Sequence, residues 1–436
     1  MQLDWEQLLS PRRVGRQSAA ATPAQPQQRS EFEADYDRVV FCEPFRRLAR
    51  KTQVHPLAPN DHIHNRLIHS IEVGSVGRSL GKRAQYLLQQ RHPQQRRLFD
   101  DVAQIVQVGC LVHDIGNPPF GHAGEFAIRD WVTKHQHLVF ANRVDDATRT
   151  DLLLFEGNAQ GFRLAARDDN PKYGYMRLTS ASLGAMIKYP WLSGDERAQQ
   201  KKKYNIFASE AEIFLTISTT MGLRRANGSV ARHPLSFLTE AADDICYRLL
   251  DMEDAVSMRI FAEAPVKELF LRLAGNAATS DIPIAKARGL AIKALIDECM
   301  AVFAADYTAI MTGQRQHDLK HDFSPRFAAA FAEIGQMYDV IFSHRGKLGY
   351  EIGAYKIVGR IIKAFVLAVQ SLCDKGDYDA LEFIARRCLD IAWSREYISA
   401  NIGRDYQWWL RQIFDFVSGL TDNYAMQISR EIEGVL

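Results

Sequence analysis

The chain has 436 residues, 47% of them hydrophobic, which is enough for a large core and, by length alone, for two or three domains of roughly 150 residues each. With 54 Lys and Arg against 52 Asp and Glu the net charge is +2, so the molecule as a whole is not the strongly basic body of a nucleic-acid binder, although local basic patches stay open. Six scattered cysteines (42, 110, 246, 299, 373, 388) without C-x-x-C argue against a disulfide framework or a cysteine zinc site; no stretch reaches the about 20 apolar residues that span a bilayer, and Met-Gln-Leu-Asp-Trp-Glu is not a basic-then-apolar leader, so a cytoplasmic protein without a membrane partner is expected.

Residues 1–30, rich in Pro, Gln, Ala, Ser and Arg from residue 11 on, are expected to form a flexible arm. Phe45, Leu48 and Ala49 alternate with Arg46, Arg47, Arg50 and Lys51, the pattern of a short amphipathic helix with a basic face. A turn is expected from His55 to His64. From Asn65 the apolar positions 67, 68, 71, 76 and 80 have helical spacing, and Arg66 and His69 share a face. A cation beside a metal-ligand histidine makes sense only if an anionic substrate also sits there; a surface Arg and a core His are the alternative.

The centre of the chain is Leu111-Val-His-Asp-Ile-Gly-Asn-Pro-Pro-Phe-Gly-His122. The apolar run Ile105, Val106, Val108, Leu111, Val112 predicts a helix over 101–115 that Gly116 and Pro118-Pro119 end, with His113 and Asp114 at its buried end. Nitrogen and oxygen donors of this kind bind divalent ions, and an isolated His-Asp pair can equally be a hydrogen-bonded helix end. A second helix opens at His122 and runs to about Lys134; His122 and Glu125, three apart, can form the acid–base arrangement in which a carboxylate orients an imidazole, or a plain surface pair.

Residues 151–165 read as a short apolar run and a Gly-punctuated segment, and 179–191 as a helix with Lys188 at its C-terminus, where a cation is favoured. Residues 193–203 and 223–233 are charged loops, expected to be solvated, though either could meet phosphates. The helix over 235–255 places Asp243, Tyr247 and Asp251 at i, i+4 and i+8 on one slowly drifting stripe; two acids in line on an apolar helix need a metal, a sugar or a basic partner. Helices follow at 283–304, 325–343, 351–372, 377–394 and 406–433, with no alternating strand pattern, so the fold is mainly α.

His69, His113-Asp114 and Asp243 now form the H…HD…D pattern of the HD superfamily of phosphohydrolases. The words around them, Lys51-Thr-Gln-Val, Asn65-Arg-Leu-Ile-His-Ser-Ile-Glu-Val, Leu111 to His122, Phe155-Glu-Gly-Asn-Ala-Gln-Gly, Lys188-Tyr-Pro-Trp, Glu240-Ala-Ala-Asp-Asp-Ile-Cys-Tyr and Ser418-Gly-Leu-Thr-Asp-Asn-Tyr-Ala, resemble the bacterial dGTP triphosphohydrolases over about residues 31–430. The resemblance implies an HD helical core over 31–265 with additional C-terminal helices, 266–436, packed on it and supplying oligomer contacts. It implies one Mn²⁺ or Mg²⁺ ion on His69, His113, Asp114 and Asp243, and hydrolysis of a dNTP to deoxynucleoside and triphosphate, dGTP being the favoured substrate. His122 oriented by Glu125 matches the catalytic pair; Arg66 and Lys188, with Tyr189 nearby, would neutralise phosphates; Tyr247 would lie beneath the sugar, and Gln53 and Asp251 would contact its 3′-hydroxyl. A homo-oligomer, often a hexamer in this family, and a dNTP effector or single-stranded DNA at a second site, sought at 46–51 and 223–232, are further expectations. Asn117 stands where some relatives have another histidine, and Asp244 where animal relatives have a base. The alternatives are an HD hydrolase of another nucleotide phosphoester and a regulatory HD protein that responds to nucleotides or single-stranded DNA.

Overall fold

A computed structural model describes residues 2–14, 29–53, 64–167, 176–275, 281–343 and 345–435. The turn expected at 55–64 therefore lies outside the described residues except for His64, as does 15–28 of the expected arm. Among the described residues there is no strand, only isolated bridge pairs, and the fold is mainly α as expected.

Helix α1 (Arg66–Arg91) is capped by Asn65, whose side chain accepts from the Ile68 amide, and runs longer than the 65–80 pattern indicates. It packs along α2 (Val102–Val112) at unusually close range. A Cβ added at Gly77 would stand 2.3 Å from Cys110 Sγ, and one at Gly81 2.6 Å from the Ala103 Cα. The small residues thus let two backbones approach, and Gly77→Ala would cost about 1–3 kcal/mol in overpacking. Helix α3 (His122–Lys134) follows the Pro-Pro turn, then α4 (Gly157–Ala166), α5 (Ser180–Met186) and α6 (Ser236–Ser257), which lies across α1 and α2. Helix α5 ends at Met186, so Lys188 lies just past the helix rather than within its last turn.

Helix α7 (Ile284–Ala305) supports α1, whereas α8 (Arg345–Lys375) packs on α3 and on the last two helices, α9 (Tyr406–Gly419) and α10 (Asp422–Glu433). The single helix expected over 406–433 is broken at Leu420-Thr421, because the Thr421 side chain accepts from the Tyr424 amide and caps a new helix.

Two hydrophobic cores result. One joins α1, α2, α5, α6 and α7; the other joins α3 to α8, α9 and α10. They cross the boundary expected at residue 265: α7 belongs with the first core, while α3 belongs with the C-terminal helices. The first residues of the chain also depart from the expected arm. Leu3, Trp5, Leu8 and Leu9 are buried in the first core, Trp5 Nε1 donates to Tyr307 Oη at 2.8 Å, and Arg13 pairs with Glu31 and Asp35. Four apolar side chains in seven residues carry enough burial to fix this segment against the bias of the Pro- and Gln-rich stretch that follows.

Candidate active site

Where the two cores meet, a cavity of about 350 Å³ opens. Eleven of the twelve site residues expected from sequence line it: Gln53, Arg66, His69, His113, Asp114, His122, Glu125, Lys188, Tyr189, Asp243 and Tyr247. The twelfth, Asp251, does not. It is buried one turn further along α6, with Tyr338 Oη 2.9 Å from its Oδ2.

The first core supplies the expected metal-ligating set: His69 from α1, His113 and Asp114 from the end of α2, Asp243 from α6. One donor atom each of His69, His113 and Asp114 lies within 4.8 Å of the others. His69 Nε2 and His113 Nε2 both face Asp243 Oδ1, at 3.2 and 3.5 Å, and His113 Nε2 is 3.6 Å from Asp114 Oδ1. His113 Nδ1 donates to the Cys110 carbonyl at 2.6 Å, which leaves its Nε2 lone pair free for an ion. Two imidazole nitrogens and two carboxylates converging in this way fit one divalent cation. Asp114 divides its oxygens: Oδ2 pairs with Arg66, while Oδ1 faces the histidines. Burial alone would raise both carboxyls. The neighbouring His113 and His69 rings outweigh it at Asp243, as Arg66 with the same two rings does at Asp114, so both stay below the usual carboxylate range.

The second core supplies the acid–base pair. His122 is the first residue of α3, and its Nδ1 donates to Glu125 Oε2 at 3.0 Å. The His122 side chain is 79% exposed toward the cavity, while that of Glu125 is 2% exposed. The other oxygen of Glu125, Oε1, accepts the Gly157 amide at 2.7 Å, and Arg129 reaches Oε2 at 3.3 Å beside His122. Burial works against its charge, but His122, Lys203 and Arg129 together keep the carboxyl below its ordinary range. The imidazole therefore has a fixed, ionised partner on Nδ1, and its Nε2 has no partner among the described residues in a ring that lines the cavity.

Three cations face the same space. Lys188 pairs with Glu240 at 2.8 Å, and burial is overcome by Glu240 and its acidic neighbours, so Lys188 stays charged. Arg66 keeps its Nε without a partner among the described residues. The third is Lys203, in the loop expected to be solvated; it is partly buried, pairs with Glu156 and stands 3.9 Å from Glu125. Asn158 and Glu240 also line the cavity and carry no spacing signal of their own, although each sits inside a motif word quoted above. Tyr247 lies flat on Tyr338, ring centres 4.9 Å apart at 8°.

A second cavity, of about 220 Å³, shares Lys188, Tyr189 and Glu240 with the first. Its guanidinium groups are already engaged: Arg197 by Asp195, Arg225 by the Gly313 carbonyl, Arg232 by Glu240 and Ser236, Arg315 by Asp306 and Asp322. Lys51 is likewise buried, donating to the carbonyls of Asn117 and Ser418. Of the cations in the expected anion segments 46–51 and 223–232, Lys51, Arg225 and Arg232 are thus engaged within the fold, while Arg46, Arg50 and Arg224 are exposed.

A body that is mainly helical among the described residues, with a His-His-Asp-Asp cluster and a separate imidazole–carboxylate pair, is of the HD type, and the HD domain family model matches residues 66–147. The chain is 38% identical to a Pseudomonas aeruginosa protein named deoxyguanosinetriphosphate triphosphohydrolase-like, over 99% of both chains, and 32% identical to a Synechocystis protein of the same name, over 99% of this chain and all of the other. It is 29% identical to a deoxyguanosinetriphosphate triphosphohydrolase of Enterobacter sp., over 93% of this chain and 94% of that one. The chain belongs to the deoxyguanosinetriphosphate triphosphohydrolase-like family of HD-domain proteins. Among the described residues no helix is long and apolar enough to cross a membrane.

Proposed function

We propose that the protein hydrolyses deoxynucleoside triphosphates, dGTP being the favoured substrate, to deoxynucleoside and inorganic triphosphate. One observation carries the reading: the four-ligand cluster, the His122–Glu125 pair and the cations Arg66, Lys188 and Lys203 all face a single cavity. A divalent ion on His69, His113, Asp114 and Asp243, Mn²⁺ or Mg²⁺, would polarise the α-phosphoryl group and acidify water there.

The chain's own residues do the rest. Arg66, Lys188 and Lys203 neutralise the polyphosphate, Arg66 while paired with Asp114. His122 moves a proton at the scissile P–O bond, and Glu125 keeps its ring in place and stabilises its charged form. Tyr247, stiffened by its stack on Tyr338, closes the space beneath the sugar and disfavours a 2′-hydroxyl. Gln53 lines the same cavity, and its side-chain amide would meet a sugar hydroxyl. Asp251 acts on the sugar only through the tyrosine stack. We further read the protein as a homo-oligomer, with a hexamer favoured.

The test is product analysis with each of the four dNTPs and Mn²⁺ or Mg²⁺. Deoxynucleoside with triphosphate is the expected outcome. Monophosphate with pyrophosphate would move the reading to another HD phosphoesterase, and binding without turnover to a regulatory protein.

A further inference from the structure

The Ser418-Gly-Leu-Thr-Asp-Asn-Tyr-Ala word plays no part in this chemistry, yet its acid sits at the hinge between the two cores. Asp422, the first residue of α10, is 3% exposed and does not line the cavity. Its Oδ1 accepts the Phe120 amide at 2.9 Å; its Oδ2 accepts the Thr52 amide at 2.9 Å and the Tyr350 hydroxyl at 2.7 Å. Phe120 stands two residues before His122 and Thr52 one before Gln53.

The turn at Phe120-Gly121 is one that needs holding. Phe120 has φ +68°, which a bulky side chain adopts at a cost, and Gly121 has φ +60° and ψ −129°, open in practice to glycine alone. A Cβ at Gly121 would also meet the Arg66 guanidinium at 2.5 Å. Beside Asp422, Lys51 donates to the carbonyls of Asn117 and Ser418, at 2.6 Å each, so the start of the same turn is tied to the end of α9. The Phe120 ring packs edge-on against Tyr350, 5.2 Å between centres.

We propose that Asp422 is a positioning residue: one buried carboxylate of the C-terminal helix sets the backbone that delivers His122 and the backbone that delivers Gln53. It explains why an acid is needed there. Three donors converge on it, and a carboxylate is acceptor-only on both oxygens. An asparagine keeps one acceptor oxygen, so in either orientation the Phe120 or the Thr52 amide is left facing an NH₂ group.

The inference rests on the proposed roles of His122 and Gln53, and the experiment separates the two. Asp422→Asn and Tyr350→Phe are made in the full-length protein, alone and with His122→Ala, and are followed by dNTP turnover, by Mn²⁺ titration calorimetry and by hydrogen exchange of the segments around 52 and 120. For Asp422→Asn we expect kcat to fall on the order of tenfold to a hundredfold through His122, KM to rise about threefold through Gln53, and Mn²⁺ affinity to change little. In the His122→Ala background the further loss should shrink to about threefold or less, since a group acting through His122 has nothing left to act on. Exchange should rise first at 51–53 and 117–121. Full activity in Asp422→Asn, a loss that adds undiminished to that of His122→Ala, or unchanged exchange at both segments would overturn the proposal. If Asp422→Asn does not fold, Tyr350→Phe is read in the same cycle, with a loss of a few-fold expected and wild-type turnover and exchange overturning. A wild type inert toward every dNTP would defeat the functional reading alone, and the exchange measurement would still decide on Asp422.

Discussion

Asp114 illustrates how one side chain serves two systems. Its Oδ1 belongs to the ion cluster and its Oδ2 to Arg66, so the metal-ligating set and the phosphate cation share a carboxylate. Asp114→Ala is therefore expected to abolish Mn²⁺ binding and hydrolysis together, read by calorimetry and product assay; surviving activity would place the metal elsewhere. Asp251 shows where residue spacing misleads. Positions four apart on a helix drift by about 40°, so Asp251 is turned about 80° from Asp243 and leaves the cavity wall. Tyr338 Oη is 2.9 Å from both the Tyr247 carbonyl and Asp251 Oδ2, and one hydroxyl proton cannot serve both. Burial lifts the Asp251 carboxyl well above its usual range, which favours a protonated Asp251 donating to Tyr338 while Tyr338 donates to the carbonyl. Asp251→Asn, which keeps a donor, should leave stability and turnover near wild type, whereas Asp251→Ala should cost about 1–3 kcal/mol in urea unfolding and loosen selection against ribonucleotides. Equal effects of the two variants would contradict a protonated Asp251.

Helices were legible wherever apolar spacing ran on, as in α2, α3, α6 and α7, because one buried face writes a 3.6-residue period into the chain. The expected metal ligands and His122 could be singled out for a different reason: they sit inside distinctive words, at helix ends except for Asp243, which is in the middle of α6. Lys203 and Asn158 reach the cavity from separate segments that only tertiary packing brings together, and no local period records that. The N-terminal segment was misread because its composition after residue 10 outweighed the Leu3, Trp5, Leu8 pattern before it. His233 pins that segment: its Nε2 donates to the Leu8 carbonyl at 3.0 Å and its Nδ1 accepts the Leu235 amide at 3.1 Å, which requires the neutral ring. Burial depresses its pKa from 6.5 to about 4, against a small opposing effect of the Leu8 carbonyl. The folded pKa lies below the unfolded one, so the contribution is complete above about pH 6.5 and is lost as pH falls toward 4, on the order of 3 kcal/mol in all. His233→Gln should flatten the fall in unfolding free energy over that window by about this amount, and an unchanged slope would show that the ring is not held neutral.

At the scale of the molecule, the site exists because two cores are held in register, one carrying the metal ligands and the other His122 and Glu125. A buried charge network fastens them. Asp415 of α9 accepts from Gln160 Nε2 and Arg163 Nε, each at 2.8 Å, and from Arg167; Arg163 also pairs with Glu210. Burial opposes the Asp415 charge, but Arg163 and Arg167 outweigh it and hold the carboxyl far below its usual range. Deleting that carboxylate removes the acid that Arg163 and Arg167 share and leaves their buried charges less compensated, which is worse than having no network at all. Asp415→Ala is expected to lose about 3–5 kcal/mol of unfolding free energy in urea, and high salt should recover little of it because the pair is shielded from ions. Turnover should fall at temperatures where each core is still helical by circular dichroism, since a slip between α4 and α9 moves His122 relative to the ion cluster. A loss below about 1 kcal/mol, or one that salt abolishes, would mean that apolar packing alone sets the register of the two cores.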